Sequence, residues 1–522
     1  MTATWITIGI YVAGLVIIGV VTGRSSKSVA DITVGGRRMG AWLSALSYGT
    51  AYFSAVMFVG YAGSTGYGFG LWGILVGLGN AAFGAMLAWL FLARRTREIS
   101  ARLGLHTMPE LFEKFYGSKA MKLFSCIVIF IFLIPYSASV YMGLGNIAEV
   151  LLGIPPTVFM ILIAALAGFL LFFGGYLVQA RADFVQGIIM MVGVALLIGY
   201  IVFAKDVGGF SGIADYAKMH TALGLTPQNS TGWWALISLI FMTSFGTWGL
   251  PHMVQKYFGI KDNGQAKRGI WISTIFCTLI AGGGYFIGSL CHKFFTRAEF
   301  DAMAAPAGSA PIFEHIIPRG GSFKDYIMPM MLEKAQIPSV LLGIVFVLLM
   351  AASVTTLSAI ILTACSTLVK DFIGTLKPGI PDKKISMGIK LLCLAFAVMS
   401  YFVASTKTPI LDMMGYSWGA ISGSFMAPYV FSLYYKKANK AGAWAGILSG
   451  FCVALVPAVC KIISMFYADP ALVPGMVDKL KGQSPQFMVI ATCCSMAMCL
   501  VVNMLTKNRV KPVEAAQAPA QA

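Results

Sequence analysis

The sequence predicts an all-α integral membrane protein of about thirteen transmembrane helices. Three observations predict it: an excess of apolar residues, their grouping into helix-length runs, and basic loops on alternate sides of those runs. Hydrophobic residues fill 58% of the 522 positions and charged residues only 11%, where a soluble domain carries about 25% charged residues. A chain this apolar has too little polar surface to face water, so lipid is the solvent for much of it. The net charge of +18 suggests nucleic acid, but the basic residues are spread over short loops instead of gathered on one module, which argues against that partner.

A bilayer core of about 30 Å takes roughly 20 apolar residues per helix. Thirteen runs qualify, at approximately 4–22, 42–66, 70–93, 121–145, 156–175, 183–204, 233–252, 270–291, 337–366, 386–405, 410–435, 441–466 and 486–506. The first is expected to be a retained helix and not a cleaved leader, because Met1 to Thr4 carry no side-chain charge and no small-residue cleavage site follows. Lys and Arg then set the orientation. They collect after run 1 (Arg24, Lys27, Arg37, Arg38), after run 3 (Arg94, Arg95, Arg97, Arg102), and in Arg181, Lys256, Lys261, Lys267, Lys370, Lys384, Lys436 and Lys437 beyond later odd-numbered runs. The loops between are poor in charge or mix both signs. This alternation places the N-terminus outside and the C-terminus in the cytoplasm. The long external loops 205–232 and 292–336 are rich in Gly, Pro and Ser and are expected to carry short surface helices. Residues 1–506 form one membrane domain, and the low-complexity tail 507–522 is expected to be a disordered cytoplasmic segment.

Of the ten cysteines, Cys126, Cys277, Cys365, Cys393, Cys452, Cys493, Cys494 and Cys499 lie inside apolar runs with no zinc-site spacing, and read as small buried hydrophobes. His106, His220, His292 and His315 fall in polar loops, and His252 ends an apolar run. No acid–base, nucleophile or metal constellation appears, so an enzyme is not expected.

Carriers often place their site where a membrane helix unwinds, with matching breaks in two inverted repeats. Run 2 has a small, hydroxylated centre, Ser44-Ala-Leu-Ser-Tyr-Gly49-Thr-Ala-Tyr-Phe-Ser54. Run 7, Phe241-Met-Thr-Ser-Phe-Gly246-Thr-Trp-Gly249-Leu-Pro251-His252, is interrupted by two glycines and a proline. The two runs are five apart. If runs 2–6 (about 42–204) and 7–11 (about 233–435) are the repeats, each break falls in the first helix of its repeat. Packing glycines are the competing reading. In run 9, Ala352, Thr355 and Thr356 share one helix face, and their oxygens could join carbonyls freed elsewhere around a small hard cation. The alternative is hydroxyls bonded back to their own helix. Asp183 opens run 6, as a costly intramembrane carboxylate or as an N-cap. Other acids, such as Glu149 and Asp412, lie near helix ends, which favours sodium over a proton relay.

The motifs Asp31-Ile-Thr-Val-Gly-Gly36-Arg37, Gly174-Gly175 followed by Asp183 and Gln186, Gly249-Leu-Pro251-His252 and Lys437-Ala-Asn-Lys-Ala-Gly442-Ala443-Trp-Ala-Gly446 resemble, in order and spacing, those of the sodium:solute symporter family, which includes bacterial proline and pantothenate permeases and the sodium–glucose transporters. The resemblance implies a leucine-transporter-type 5+5 inverted repeat with extra N- and C-terminal helices, and alternating access. It implies a sodium ion between runs 2 and 9, held by the carbonyls of Thr50, Phe53 and Ala352 and the hydroxyls of Thr355 and Thr356. Asp183 and Ser358 match residues with which some members hold a further sodium, while Ala359 stands where those members have a second serine, so one or two ions per cycle stay open. Solute candidates are Tyr52, Ser54, Asn80, Tyr136, Thr243, Thr247 and Trp248. Tyr52 departs from the aspartate of proline permeases, and Thr247 from an aromatic.

The expectation is a sodium-coupled importer of a small organic solute, an amino acid such as proline or a small carboxylate, in a bacterial-type inner membrane. Sodium is the coupling ion and no other cofactor or metal is expected. The partners are solute, sodium and the lipid bilayer, with no nucleic acid and no obligatory protein. A proton-coupled importer of the same fold, or a transporter-like solute sensor, is the alternative. A sugar fits poorly, because polyol recognition needs many buried hydrogen-bonding groups.

Overall fold

The computed structural model describes residues 2–23, 37–227, 230–304, 322–406, 408–467 and 473–506, the side chains of 173–175 and 177 apart. The 31–36 part of the first motif, His315 and the tail 507–522 lie outside the described residues. Among those described, every regular element is helical, and the one extended pairing is a single bridge between Met39 and Ile260. The main helices are α1 (Thr2–Gly23), α2 (Ala41–Tyr52), α3 (Gly63–Phe69), α4 (Arg94–Leu103), α5 (Met108–Tyr116), α6 (Lys119–Leu152), α7 (Pro156–Val202), α8 (Ser230–Gly249) and α9 (Pro251–Phe258). They continue as α10 (Asn263–Cys277), α11 (Ser339–Ser366), α12 (Asp382–Ala404), α13 (Ile410–Tyr434), α14 (Lys440–Met465) and α15 (Ser484–Leu505). Among the described residues nine helices are long and apolar enough to cross a bilayer, or ten if the bent pair α8–α9 is one span.

Two of the longest helical stretches double back. Helix α7 has 47 residues, about 70 Å if straight, more than twice the hydrocarbon core. Phe159 meets Phe346 edge-on with ring centroids 6.1 Å apart, and Gly193 lies under the Leu348 side chain. Residues 34 positions apart would sit about 51 Å apart along a straight helix, yet both meet one turn of α11. The element therefore folds back on itself. The second return is at Gly70, whose φ of +50° sits in the left-handed region and where a Cβ would also meet the His220 ring at 2.5 Å. Beyond it Gly73 faces Thr65 and Gly84 faces Tyr52, so the chain after Gly70 runs antiparallel to the helix before it.

Helix α11 is the hub. Its most apolar window is 83% buried, against 28% for α1, and it packs on α1, α2, α6, α7 and α12. The outer helices turn apolar side chains outward, such as Leu391, Val398 and Phe402 of α12, as lipid contact demands. Cys452 and Cys493 share that exposure, a correction to their expected burial. The two long loops, 205–232 and 292–336, carry the helices Gly209–Met219, Arg297–Ala304 and Ile327–Lys334.

The two expected breaks differ. Helix α2 ends at Tyr52, where Phe53 turns extended (φ −110°, ψ 119°), and the chain resumes as the π-helical segment Val56–Ala62 leading into α3. Ser54 heads that segment, accepting from the Val56 amide at 3.2 Å. In the second case α8 stays helical through Gly246 and Gly249 and breaks only at Leu250, where α9 departs by 48°. Pro251 causes that break, because its ring nitrogen has no proton to continue the ladder. The glycines are contact points: a Cβ on Gly246 would lie 2.5 Å from the Trp418 ring, and one on Gly249 would lie 2.8 Å from the Ser422 backbone. The two breaks therefore differ in their place along the helix: α2 runs 12 residues before its own and α8 runs 20.

Candidate ion and solute site

The break in α2 has no local cause. No proline is near, and Gly49 lies within the helix. A helix end leaves its last carbonyls without amide partners. Here the hydroxyls of α11 meet them. Thr355 Oγ1 lies 2.9 Å from the Thr50 carbonyl, 3.0 Å from that of Ala351 and 3.0 Å from that of Ala352. Thr356 Oγ1 lies 3.3 Å from the carbonyls of Thr50 and Ala51 and 2.9 Å from that of Ala352. A hydroxyl has one proton. Two protons thus serve six close oxygen–oxygen approaches: three run back to carbonyls of α11 itself, the alternative left open by the sequence, and three cross to carbonyls at the end of α2. All of these residues are buried. Acceptor oxygens therefore outnumber protons in a dry setting, an arrangement that suits a cation. A six-oxygen cage with metal–oxygen distances of about 2.4 Å, by analogy with calcium, has edges near 3.4 Å, so modest expansion admits an ion.

Of the five residues expected around sodium, Thr50, Ala352, Thr355 and Thr356 come together through these contacts, and Phe53 stands at the break three residues past Thr50. The carbonyls of Ala51 and Ala351 join the group. Sequence spacing could not find Ala51, because backbone carbonyls carry no residue-type signal.

Just beyond the break, Tyr52, Phe53, Ser54, Asn80, Thr243 and Trp418 line a cavity of about 20 Å³, space for roughly one water. Tyr52 donates to the Thr243 carbonyl at 2.6 Å, and Ser244 donates to Asn80 Oδ1 at 3.1 Å. Four of the seven expected solute residues line this space. Tyr136 does not, but its ring meets that of Trp418 edge-on at 5.6 Å. Thr247 donates to the carbonyl of Ser244 at 2.9 Å, below the cavity, and half-buried Trp248 points away to the Phe83 carbonyl. Trp418, Tyr285 and Met414 join the lining without having been foreseen. Tyr285 follows Gly282-Gly283-Gly284, and Met414 and Trp418 flank Gly415, glycines that in sequence look the same as packing glycines.

A second polar cluster lies one turn below Thr50. Asp183 Oδ2 accepts from Ser47 Oγ at 2.5 Å and from Lys256 Nζ at 3.3 Å, and Lys256 also donates to Ser47 at 2.8 Å. The side chains of Lys256 and Asp183 are 2% and 1% exposed. The ammonium lies 5.1 Å over the Tyr176 ring. Asp183 is therefore no N-cap, since α7 runs through it. Lys256 corrects its sequence assignment as a cytoplasmic loop charge: Pro251 restarts a helix that carries it inward. Ser358 Oγ and Asp183 Oδ1 are buried with no hydrogen-bond partner. Gln179, one turn before Asp183, reaches the Thr355 carbonyl at 3.5 Å, and Ser358 is one turn beyond Thr355. Among the described residues no group of three or more His, Cys, Asp or Glu could hold a metal ion.

Comparison with known proteins bears on this geometry. A profile of the sodium:solute symporter family matches residues 33–450. A sodium/proline symporter of Staphylococcus aureus is 26% identical over 461 residues, covering 87% of this chain and 85% of the relative. Among solved structures, a substrate-bound outward-open sodium-coupled sialic acid symporter superposes with a TM-score of 0.73 at 17% identity, covering 98% of each chain. A nucleobase-cation-symport-1 family transporter in a closed, bromovinylhydantoin-bound form gives 0.54 at 12% identity, covering 94% of this chain and 98% of the other.

Proposed function

The chain belongs to the sodium:solute symporter family, whose members are membrane symporters and not enzymes, and we propose that it is a sodium-coupled secondary carrier importing a small organic solute by alternating access. The observation that carries this reading is the oxygen-rich junction of α2 and α11, where two hydroxyl protons serve six oxygen contacts. In the proposal sodium enters from outside and takes the carbonyls of Thr50, Phe53 and Ala352 and the hydroxyls of Thr355 and Thr356. Their protons then turn away from the carbonyls. The ion ties the broken helix to α11 and so shapes the space beside Tyr52, Ser54, Asn80 and Thr243 for the solute. Each ligand raises the affinity for the other by the same factor.

Thirteen spans in a 5+5 inverted repeat, at about 42–204 and 233–435, with additional helices at both ends, form the proposed architecture. The returns at Gly70 and within α7 support it by splitting two long stretches into four. The proposed setting is a bacterial inner membrane with the N-terminus outside. The proposed solute is an amino acid, with proline suggested by the staphylococcal relative, or a small carboxylate. No Lys, Arg, Asp or Glu lines the cavity. The resumed helix begins at Ser54 beside it, and its N-terminal amides suit a carboxylate. The test is uptake by proteoliposomes of a panel of labelled amino acids and carboxylates under an inward sodium gradient. Accumulation of one member only with sodium is expected. Accumulation driven equally by a pH gradient without sodium would favour the proton-coupled reading, and binding without accumulation would favour a sensor.

A further inference from the structure

The arrangement around Asp183 bears on how many sodium ions move per cycle. A carboxylate fully buried within a candidate span needs a compensating charge or a proton. Three sources exist: a captured ion, a bound proton, or a cation belonging to the protein. Lys256 supplies the third. Its ammonium lies 3.3 Å from Asp183 Oδ2, and Ser47 bridges the two at 2.5 Å and 2.8 Å. The Tyr176 ring face closes over the ammonium at 5.1 Å, and side chain and partner are shut off from solvent. The lysine comes from α9, beyond the bend at Leu250, while Asp183 and Ser47 come from α7 and α2.

We infer that the Lys256 ammonium is a tethered cation standing where a further sodium would otherwise bind, so that this carrier uses one sodium ion, at the α2–α11 junction, and not two. The inference rests on the proposed sodium coupling and deepens it. By resemblance, Asp183 and Ser358 match residues with which some family members hold a further ion, and each has an oxygen without a hydrogen-bond partner. An ion held by the Asp183 carboxylate would lie a few ångströms from the ammonium, itself 3.3 Å from Oδ2. Like charges about 4 Å apart at an effective dielectric of about 20 weaken binding by roughly a thousandfold. Asp183, already paired, has no net charge left to offer.

The cluster also reaches the first site. Ser47 is one turn before Thr50, whose hydroxyl donates to the Ser47 carbonyl at 3.4 Å. The fixed cation therefore ties the half of the broken helix that precedes Phe53 to α7 and α9, a task that a second sodium would perform only while bound.

The test is equilibrium binding of 22Na⁺ to the purified full-length protein, which needs no knowledge of the solute. The wild type should saturate at one ion per chain, with affinity reduced by Thr356→Ala. Lys256→Met leaves Asp183 unpaired and should saturate at two ions. The double variant Lys256→Met/Asp183→Asn should return to one. Two ions on the wild type overturn the inference whatever the variants do, so a variant that fails to fold does not leave it standing by default. One ion on a folded Lys256→Met overturns it as well. No saturable 22Na⁺ on the wild type overturns the coupling proposal itself, a result distinct from either.

Discussion

Two polar clusters face each other across one turn of α2. The upper one, at Thr50, Thr355 and Thr356, contains only neutral oxygens and has too few protons for its contacts. The lower one, at Ser47, Asp183 and Lys256, pairs an acid directly with a base. In the proposed function the first is completed by a cation from solution. The second is already complete. The difference shows that a buried acid is weaker evidence for an ion site than an excess of uncharged oxygen, because the acid can carry its own counter-ion within the fold.

The largest expected effect comes from unbalancing the lower cluster. Asp183→Leu strands the Lys256 ammonium and should cost about 3–5 kcal/mol, whereas Asp183→Leu/Lys256→Met should recover most of that loss. Melting temperatures of the purified variants check this, and equal damage in single and double variants would break the comparison. Next is the sodium dependence of stability. Sodium at about 100 times its dissociation constant should stabilise the wild type by about 2.7 kcal/mol, and Thr355→Ala/Thr356→Ala should abolish that gain. A smaller effect is expected at Gly187, which sits between the clusters. A Cβ there would lie 3.2 Å from Thr50 Cγ2, so Gly187→Ala should cost about 1 kcal/mol and weaken sodium binding without changing its stoichiometry.

The smallest effect concerns a third charged group, outside the spans. Lys370 contacts Glu110 at 2.6 Å and His106 Nδ1 at 3.0 Å. Burial, then the Lys370 charge, pushes His106 down to about 4. Burial alone would raise the Glu110 carboxyl, but Lys370 and the His106 amide hold it below its usual value. Between pH 6.5 and 4 the unfolded chain binds a proton at this histidine that the folded chain refuses, so stability falls as pH falls through that window. Solvent screening limits the effect to under about 1 kcal/mol. His106→Asn should flatten that part of the pH–melting profile. A stronger slope here than at the buried pair would contradict the ranking.

Much of the fold was legible because membrane spans declare themselves through composition and loop charge. The α11 hydroxyls were legible because Thr355 and Thr356 carry their oxygens as side chains at a helical spacing. The break at Phe53 was legible only as a small, hydroxylated stretch, since its cause is the meeting of α2 with α11, over 300 residues away. Gly246 and Gly249 misled because a glycine that unwinds a helix and one that lets Trp418 and Ser422 approach look alike in sequence. Lys256 was read as a loop charge because Pro251 marks the end of a run, and nothing local reveals that the chain restarts as a helix and turns the lysine inward.

The most direct test of the account is the affinity of 22Na⁺ for purified wild-type protein and for Thr355→Ala and Thr356→Ala. A ligand oxygen bonded to a charge contributes about 1.5–3 kcal/mol, so each substitution should weaken sodium binding by about 10–100-fold with the fold intact. Unchanged sodium affinity in both variants would contradict the placement of the ion at the junction of α2 and α11.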